Sequence, residues 1–99
     1  MLFRSFFGDG NWAHEALARI LDDRGLEVAF VVGRYANPDP VLEEQAGGRR
    51  IPFLCHPNVN SAEFMEIVRS YQVDLNVSMS FNQIIRAELN GAARCGFIN

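Results

Sequence analysis

Apolar and polar positions change period several times along the chain, and each change marks an element. Residues Leu2 to Phe7 form a short aromatic-rich run that stops at Gly8-Asp9-Gly10-Asn11, the pattern of a buried strand entering a tight turn. From Trp12 the period becomes helical, with Ala13, Ala16, Leu17, Ile20 and Leu21 on one stripe. Asn11 is placed to cap this helix, Glu15 lies near its positive end and Arg24 near its negative end. Gly25 is expected to close it in the left-handed conformation. Val28 to Val32 is continuously apolar, as a strand covered on both faces in the middle of a parallel sheet must be. Asp39-Pro40-Val41 offers a cap and a proline at the first helical position, opening a short helix that Gly47-Gly48 ends.

Ile51 to Cys55 reads as a third strand, and Pro52, which has no N–H for a ladder, assigns it to a sheet edge. Beyond His56-Pro57, Asn60 and Glu63 stand at capping-box spacing, followed by a helical stripe of Phe64, Ile67, Val68 and Tyr71. Leu75, Val77, Met79 and Phe81 alternate with Asn76, Ser78 and Ser80, which predicts a fourth strand with one less buried face. A helical turn from Ile84 to Leu89 breaks at Asn90-Gly91, and a last strand starts near Arg94. Strands alternating with helices require right-handed crossovers. The fold class is therefore α/β: a Rossmann-like open parallel sheet of alternating βα units, in a single domain over residues 1–99.

Composition narrows the chemistry. Apolar residues make up 48% of the 99, and eight Phe can supply a core. A net charge of −3 gives no basic footprint for nucleic acid. All nine basic residues are Arg, so the 99 residues offer no lysine for a Schiff base or a P-loop. Cys55 and Cys95 have no metal-ligand spacing and read as core thiols of a cytosolic, cytoplasmic protein; no metal site is expected. The first eight residues turn polar too quickly for a signal peptide, and no apolar run reaches membrane-helix length.

Two stretches could carry function on their own chemistry. Gly8-x-Gly10-x-x-Ala13, between a strand and a helix, suits close approach of a phosphate to a helix N-terminus, or simply a tight turn. Arg34, at the end of the second strand, keeps open an NADP-binding oxidoreductase domain, since an arginine there can meet a 2′-phosphate. Ser80-Phe81-Asn82-Gln83-Ile84-Ile85 leaves the fourth strand at the carboxyl edge of the sheet, where open α/β sheets bind ligands. His14 is expected on the solvent side of the first helix, and His56 lies in a loop. Neither has an evident acidic partner, so the sequence offers no paired general base.

Taken with Cys95-Gly96-Phe97-Ile98-Asn99, the stretch Ser78 to Ile85 resembles the folate-dependent formyltransferases. In that family a strand ending Gly-x-Ile-Asn runs into an Asn-x-His-x-Ser motif. The resemblance spans the whole chain and corresponds to the first half of the family's catalytic domain, so the sheet is expected to be incomplete relative to it. It implies N10-formyltetrahydrofolate as cofactor, its ring held by Ser80, Phe81, Asn82, Gln83, Ile84, Ile85 and Phe97. Asn99 would be the catalytic amide, steadying the formyl oxygen, and Gly8, Asp9, Gly10, Asn11 and Trp12 would line the side of the amine substrate. Arg49-Arg50-Ile51-Pro52-Phe53 and Asn58 to Phe64 resemble the branch that formylates nucleotide-linked amino sugars; the methionyl-tRNA branch shares this half.

The His and Asp that handle protons in the family do not follow Asn99, so the 99 residues alone are expected to be inactive. A strand edge at the carboxyl terminus is expected to drive self-association. A non-catalytic interaction module that keeps the fold without the chemistry remains a further reading.

Overall fold

A computed structural model describes residues 2–23, 25–93 and 96–98, with the side chains of Leu2 and Asn90 left aside. Among the described residues five strands alternate with four helices: β1 (Leu2–Gly8), α1 (Gly10–Asp22), β2 (Leu26–Val32), α2 (Pro40–Gly48), β3 (Phe53–Leu54), α3 (Ala62–Ser70), β4 (Leu75–Met79), α4 (Ala87–Asn90) and β5 (Phe97–Ile98). All neighbouring strands are parallel, in the order β3-β2-β1-β4-β5. The expected open α/β sheet is therefore present, with β1 at its centre and β2, which carries the continuous apolar run Val28–Val32, one place out.

Alternation along β1 sends its aromatic side chains to opposite faces. Phe6 packs with Val31 and Val77 under Ala13 and Leu17 of α1 and Leu42 and Ala46 of α2. Phe7 packs with Phe30 and Val32 under Phe64, Met65 and Val68 of α3, together with Val59, Val73 and Leu89. Phe7 is a hub: edge-on rings of Phe30, Phe64, Phe81 and Phe97 stand 6.1, 6.2, 5.5 and 5.2 Å from it. Edge-to-face contact suits the ring quadrupoles. Through the buried Phe7, the partly buried Phe81 and Phe97 thus join the centre of the sheet directly to the segments that follow β4 and form β5.

Several element ends differ from expectation, each for a visible reason. Helix α1 starts at Gly10 rather than after an Asn11 cap, and Asp9, at the cap position, makes no side-chain capping bond. Its carboxylate is turned to Arg34 instead, at 3.0 Å. Gly25 is not left-handed; Asp23 caps α1, and its side chain accepts from Gly25 N–H at 2.9 Å. Asp39 caps α2 as expected, accepting from Val41 and Leu42, with Pro40 in the first turn. Helix α2 runs through Gly48, and Arg50 takes the left-handed turn after it at φ 58°.

Only Phe53 and Leu54 pair as β3, at the edge where Pro52 placed it. Ser61, not Asn60, caps α3, accepting from Phe64 N–H at 3.1 Å. Strand β4 ends at Met79, and Ser80 turns out of the sheet at φ 56°, so Phe81 continues no alternation. Asn76, expected on a less buried face, is fully buried, its carboxamide oxygen accepting from the equally buried Ser5 hydroxyl. Arg24, Arg94, Cys95 and Asn99 lie outside the described residues, so the expectations placed on them, the catalytic amide included, do too.

Candidate functional site

The strand order places the candidate site. From β1 the chain winds outward through β2 to β3, then returns to the other side of β1 for β4 and β5. The direction of winding reverses between β1 and β4. In open α/β sheets the connections leaving the carboxyl ends of two such strands diverge and leave a crevice between them. Gly8 and Met79 are register partners at those two ends. The Gly8–Trp12 turn and the loop starting at Ser80 therefore leave adjacent points of the sheet, and Asp9 N–H donates to Met79 O at 3.3 Å.

Packing fixes the turn after β1. A Cβ on Gly8 would stand 2.6 Å from the Phe6 ring and 2.7 Å from Ala13 Cβ, so only glycine lets α1 lie this close to its strand. Gly10 is at φ 80°, a conformation suited to glycine, with open space beside it. The first glycine thus serves helix-strand packing rather than access for a ligand. Trp12 is 75% exposed and lines a shallow depression with Glu15, Ala16, Arg19 and Met79.

The expected phosphate seat is already occupied by the protein. Gly10 N–H, at the start of α1, donates to Asp39 Oδ2 at 3.1 Å. The same oxygen meets His14 Nε2 at 2.6 Å, and Asp39 Oδ1 accepts from Val41 and Leu42 N–H at 3.0 and 3.3 Å. Burial pushes the Asp39 carboxyl up, but the His14 hydrogen bond and the N–H groups of Gly10, Leu42 and Val41 outweigh it and hold it below its ordinary value. His14 is therefore not on the solvent side: it is mostly buried against Asp39, and the chain does contain a paired histidine, contrary to expectation. The two residues lie 25 apart in sequence, so periodicity along α1 could not find the partner.

Arg34 is similarly engaged. Its Nε donates to Asn37 O at 2.8 Å and a terminal nitrogen to Asp9 Oδ1 at 3.0 Å. The guanidinium that kept a 2′-phosphate reading open is committed to a neighbouring carboxylate, and the NADP reading loses its main residue.

Loop Ser80–Ile85 is held by two carboxamides, neither of which the sequence marked for this role. Gln83 Oε1 accepts from Val59 N–H at 2.9 Å while its Nε2 donates to His56 O at 2.9 Å. Asn60 answers from the opposite segment: Nδ2 donates to Ile84 O at 2.6 Å, and Oδ1 accepts from Arg86 N–H at 2.8 Å. His56 Nδ1 accepts from Asn58 N–H at 3.0 Å, and its Nε2 stands 3.6 Å from the exposed Glu63 carboxylate.

Beside this loop a groove of about 690 Å³ is lined by Ser80, Phe81, Gln83 and Ile85 from the loop, with Ser78 and Arg86, and by Phe97 and Ile98 of β5. Five of the seven expected ring-binding residues meet there. Asn82 and Ile84 face a second hollow of about 730 Å³, with Asn58, Asn60 and Glu88; Gln83 and Arg86 line both. Ile84 is 79% exposed. Phe81 and Phe97 turn their rings onto Phe7, so they shape the wall from the core side. Arg86, an exposed residue that lines both hollows, went unmarked in the sequence. Among the described residues no group of acidic, histidine and cysteine side chains could hold a metal ion, and no helix is long and apolar enough to cross a membrane.

No protein-family model matches the sequence, and no curated protein matches it. Solved structures do match the fold. Phosphoribosylglycinamide formyltransferase from Bacillus halodurans superposes with a TM-score of 0.70 at 17% identity, over 96% of this chain and 53% of that one. The enzyme of the same name from Streptococcus pneumoniae TIGR4 gives 0.69 at 16%, over 98% and 54%. Glycinamide ribonucleotide transformylase 1 from Symbiobacterium toebii gives 0.71 at 19%, over 97% and 50%. The fold is shared with these formyltransferases. The chain spans about half the length of each. All three are named for glycinamide substrates, whereas residues 49–53 and 58–64 had pointed to the sugar-amine branch.

Proposed function

We propose that this chain carries the cofactor side of a formyl transfer from N10-formyltetrahydrofolate to an amine. One observation carries the reading. At the point where the winding of the sheet reverses, the loop resembling the folate loop of the formyltransferases leaves β4 next to the Gly8–Trp12 turn, where Asp9 N–H donates to the carbonyl of Met79, the last residue of β4. A flat heterocycle in the groove beside Ser80–Ile85 would rest on the Phe81, Ile85 and Phe97 side and exchange hydrogen bonds with the loop's main chain. Arg86, which lines the groove, offers a counter-charge to the cofactor's carboxylates. Gly8, Asp9, Gly10, Asn11 and Trp12 take the amine's side.

In this reading Asn99, next in sequence after Ile98, donates its carboxamide to the formyl oxygen as the amine attacks, stabilising charge that appears only in the tetrahedral intermediate. The attacking amine must also lose a proton. Neither histidine of the chain lines the groove, and His14 is held by Asp39. The 99 residues alone therefore bind cofactor without turnover. The amine is assigned to a nucleotide-linked amino sugar on the strength of residues 49–53 and 58–64, with methionyl-tRNA as the second choice. Among the described residues β5 is an edge strand, as β3 is on the other side, and Ile98 is 53% exposed, so copies of the chain are also proposed to associate along β5.

Calorimetric titration with 5-formyltetrahydrofolate tests the reading. Saturable binding that Phe97→Ala weakens is the expected result, with no formyl transfer to any amine. Binding of NADPH in place of the folate would transfer the assignment to an oxidoreductase domain. Binding of neither, with a stable oligomer, would favour an interaction module.

A further inference from the structure

We infer that Asp39 is a specificity-determining residue that closes the α1 N-terminus to phosphate monoesters, so that the amine substrate carries no terminal phosphate at this end of the cleft. The inference rests on the proposed formyl transfer for the word substrate, but its geometry stands independently.

A helix start following a glycine turn is ordinarily attractive to phosphate, because its first N–H groups lack partners and carry partial positive charge. Here the first of them, Gly10 N–H, already has a carboxylate oxygen 3.1 Å away. That carboxylate is fixed in place. Asp39 is 4% exposed, it accepts from two further N–H groups at the start of α2, and His14 sits on the same oxygen that Gly10 uses. His14 is itself tied down, since its carbonyl accepts from Gln45 Nε2 of α2 at 2.9 Å. The start of α1 is thus latched to α2 through one buried anion.

The charges around this point favour exclusion. Asp9 adds a second carboxylate at the α1 cap position, and the Arg34 guanidinium beside it is paired to it at 3.0 Å. A phosphate approaching Asn11 and Trp12 N–H would meet a helix start that already carries two carboxylates, Asp39 on Gly10 N–H and Asp9 at the cap position, with the Arg34 guanidinium paired to Asp9. Like charges at such separations oppose each other strongly where solvent is partly excluded. Asp39 held below its ordinary pKa remains an anion throughout the neutral range. A neutral or cationic group meets no such penalty, which suits an amine or a sugar hydroxyl.

Amide NMR of the 99-residue chain, titrated with inorganic phosphate and then ribose 5-phosphate, tests this. In the wild type, Gly10, Asn11 and Trp12 are expected to show no saturable shift into the millimolar range. Asp39→Asn keeps an oxygen to cap α2 but removes the charge and turns an amide donor toward Gly10. Phosphate affinity at those three amides should then rise about tenfold or more. Asp39→Ser, which also caps without charge, should behave alike, and circular dichroism checks that both variants fold. A saturable response in the wild type overturns the inference, as does a folded variant with no gain. Folate binding is measured on the same samples. Its absence would defeat the proposed formyl transfer and leave the phosphate result standing, whereas phosphate binding by a wild type that also binds folate would defeat the exclusion alone.

Discussion

Gln83 holds Val59: its carboxamide oxygen accepts the Val59 N–H at 2.9 Å, and its amide nitrogen returns a bond to the carbonyl of His56. Val59 is fully buried, so with Gln83 in place this carboxamide is its partner and water does not reach it. The residue expected to face a cofactor therefore also secures the loop on which that cofactor would rest.

Replacing Gln83 should accordingly act on stability and binding together. Gln83→Ala leaves a buried donor unmet, and the expected loss is about 1–3 kcal/mol in a urea melt. Gln83→Glu keeps the acceptor for Val59 but sets a carboxylate oxygen against the His56 carbonyl, so it should also destabilise. Hydrogen exchange at the Val59 amide localises the effect; unchanged protection in Gln83→Ala would show that the bond is not maintained in solution.

The glycines separate by what surrounds them. Gly8→Ala would drive a methyl into Phe6 and Ala13 at 2.6 and 2.7 Å, and overpacking of this kind costs about 1–3 kcal/mol. Gly47, inside α2, has open space around the same position, so Gly47→Ala should stabilise by about 0.5–1 kcal/mol through helix propensity. Paired thermal melts decide both signs.

Acid should weaken the latch between α1 and α2. The folded Asp39 carboxyl lies below its ordinary value, so the unfolded chain binds the proton more readily. Its contribution is complete above the unfolded value of about 3.9 and is lost as pH falls through the lower folded value. Urea melts of wild type and Asp39→Asn at descending pH should converge. A difference that stays constant would contradict the depressed pKa.

Cys55, at the end of β3, is half-buried, and burial raises its thiol pKa; the Glu43 charge adds to this while the Gly33 N–H opposes it. Less thiolate at neutral pH means slow alkylation. Peptide mapping after a short iodoacetamide pulse should find Cys55 modified more slowly than a free cysteine in the same tube, with the gap narrowing as pH rises.

What the sequence made legible follows physical range. Helix α1, strand β2 and the Asp39-Pro40 cap rest on periodicity or neighbouring residues, and all are present. Ser80, Phe81, Gln83, Ile85 and Phe97, which the resemblance had set together, line one groove. Hidden features join residues far apart along the chain. His14 finds Asp39 25 residues on, Gln83 reaches back 27 to His56, and Ser5 meets Asn76 across 71. The last pair explains why the β4 alternation misled: Asn76 is polar yet buried, because its carboxamide oxygen has the Ser5 hydroxyl as a partner. The cap expected of Asn11 was misplaced as well: α1 starts at Gly10, and the residue at its cap position, Asp9, pairs with Arg34, 25 residues on.

The central position of β1 has a consequence for synthesis on the ribosome. Its first neighbour, β2, follows within a single helical crossover, but its second, β4, is paired across roughly 70 residues, as the separation of 71 between Ser5 and Asn76 records. One edge of β1 must therefore wait, with its N–H and C=O groups unpaired, until β4 has been made. Closure of that edge is a late and slow step, and it is the step that assembles the crevice. Nascent chains halted before Leu75 should be the ones that chaperones bind and proteases cut.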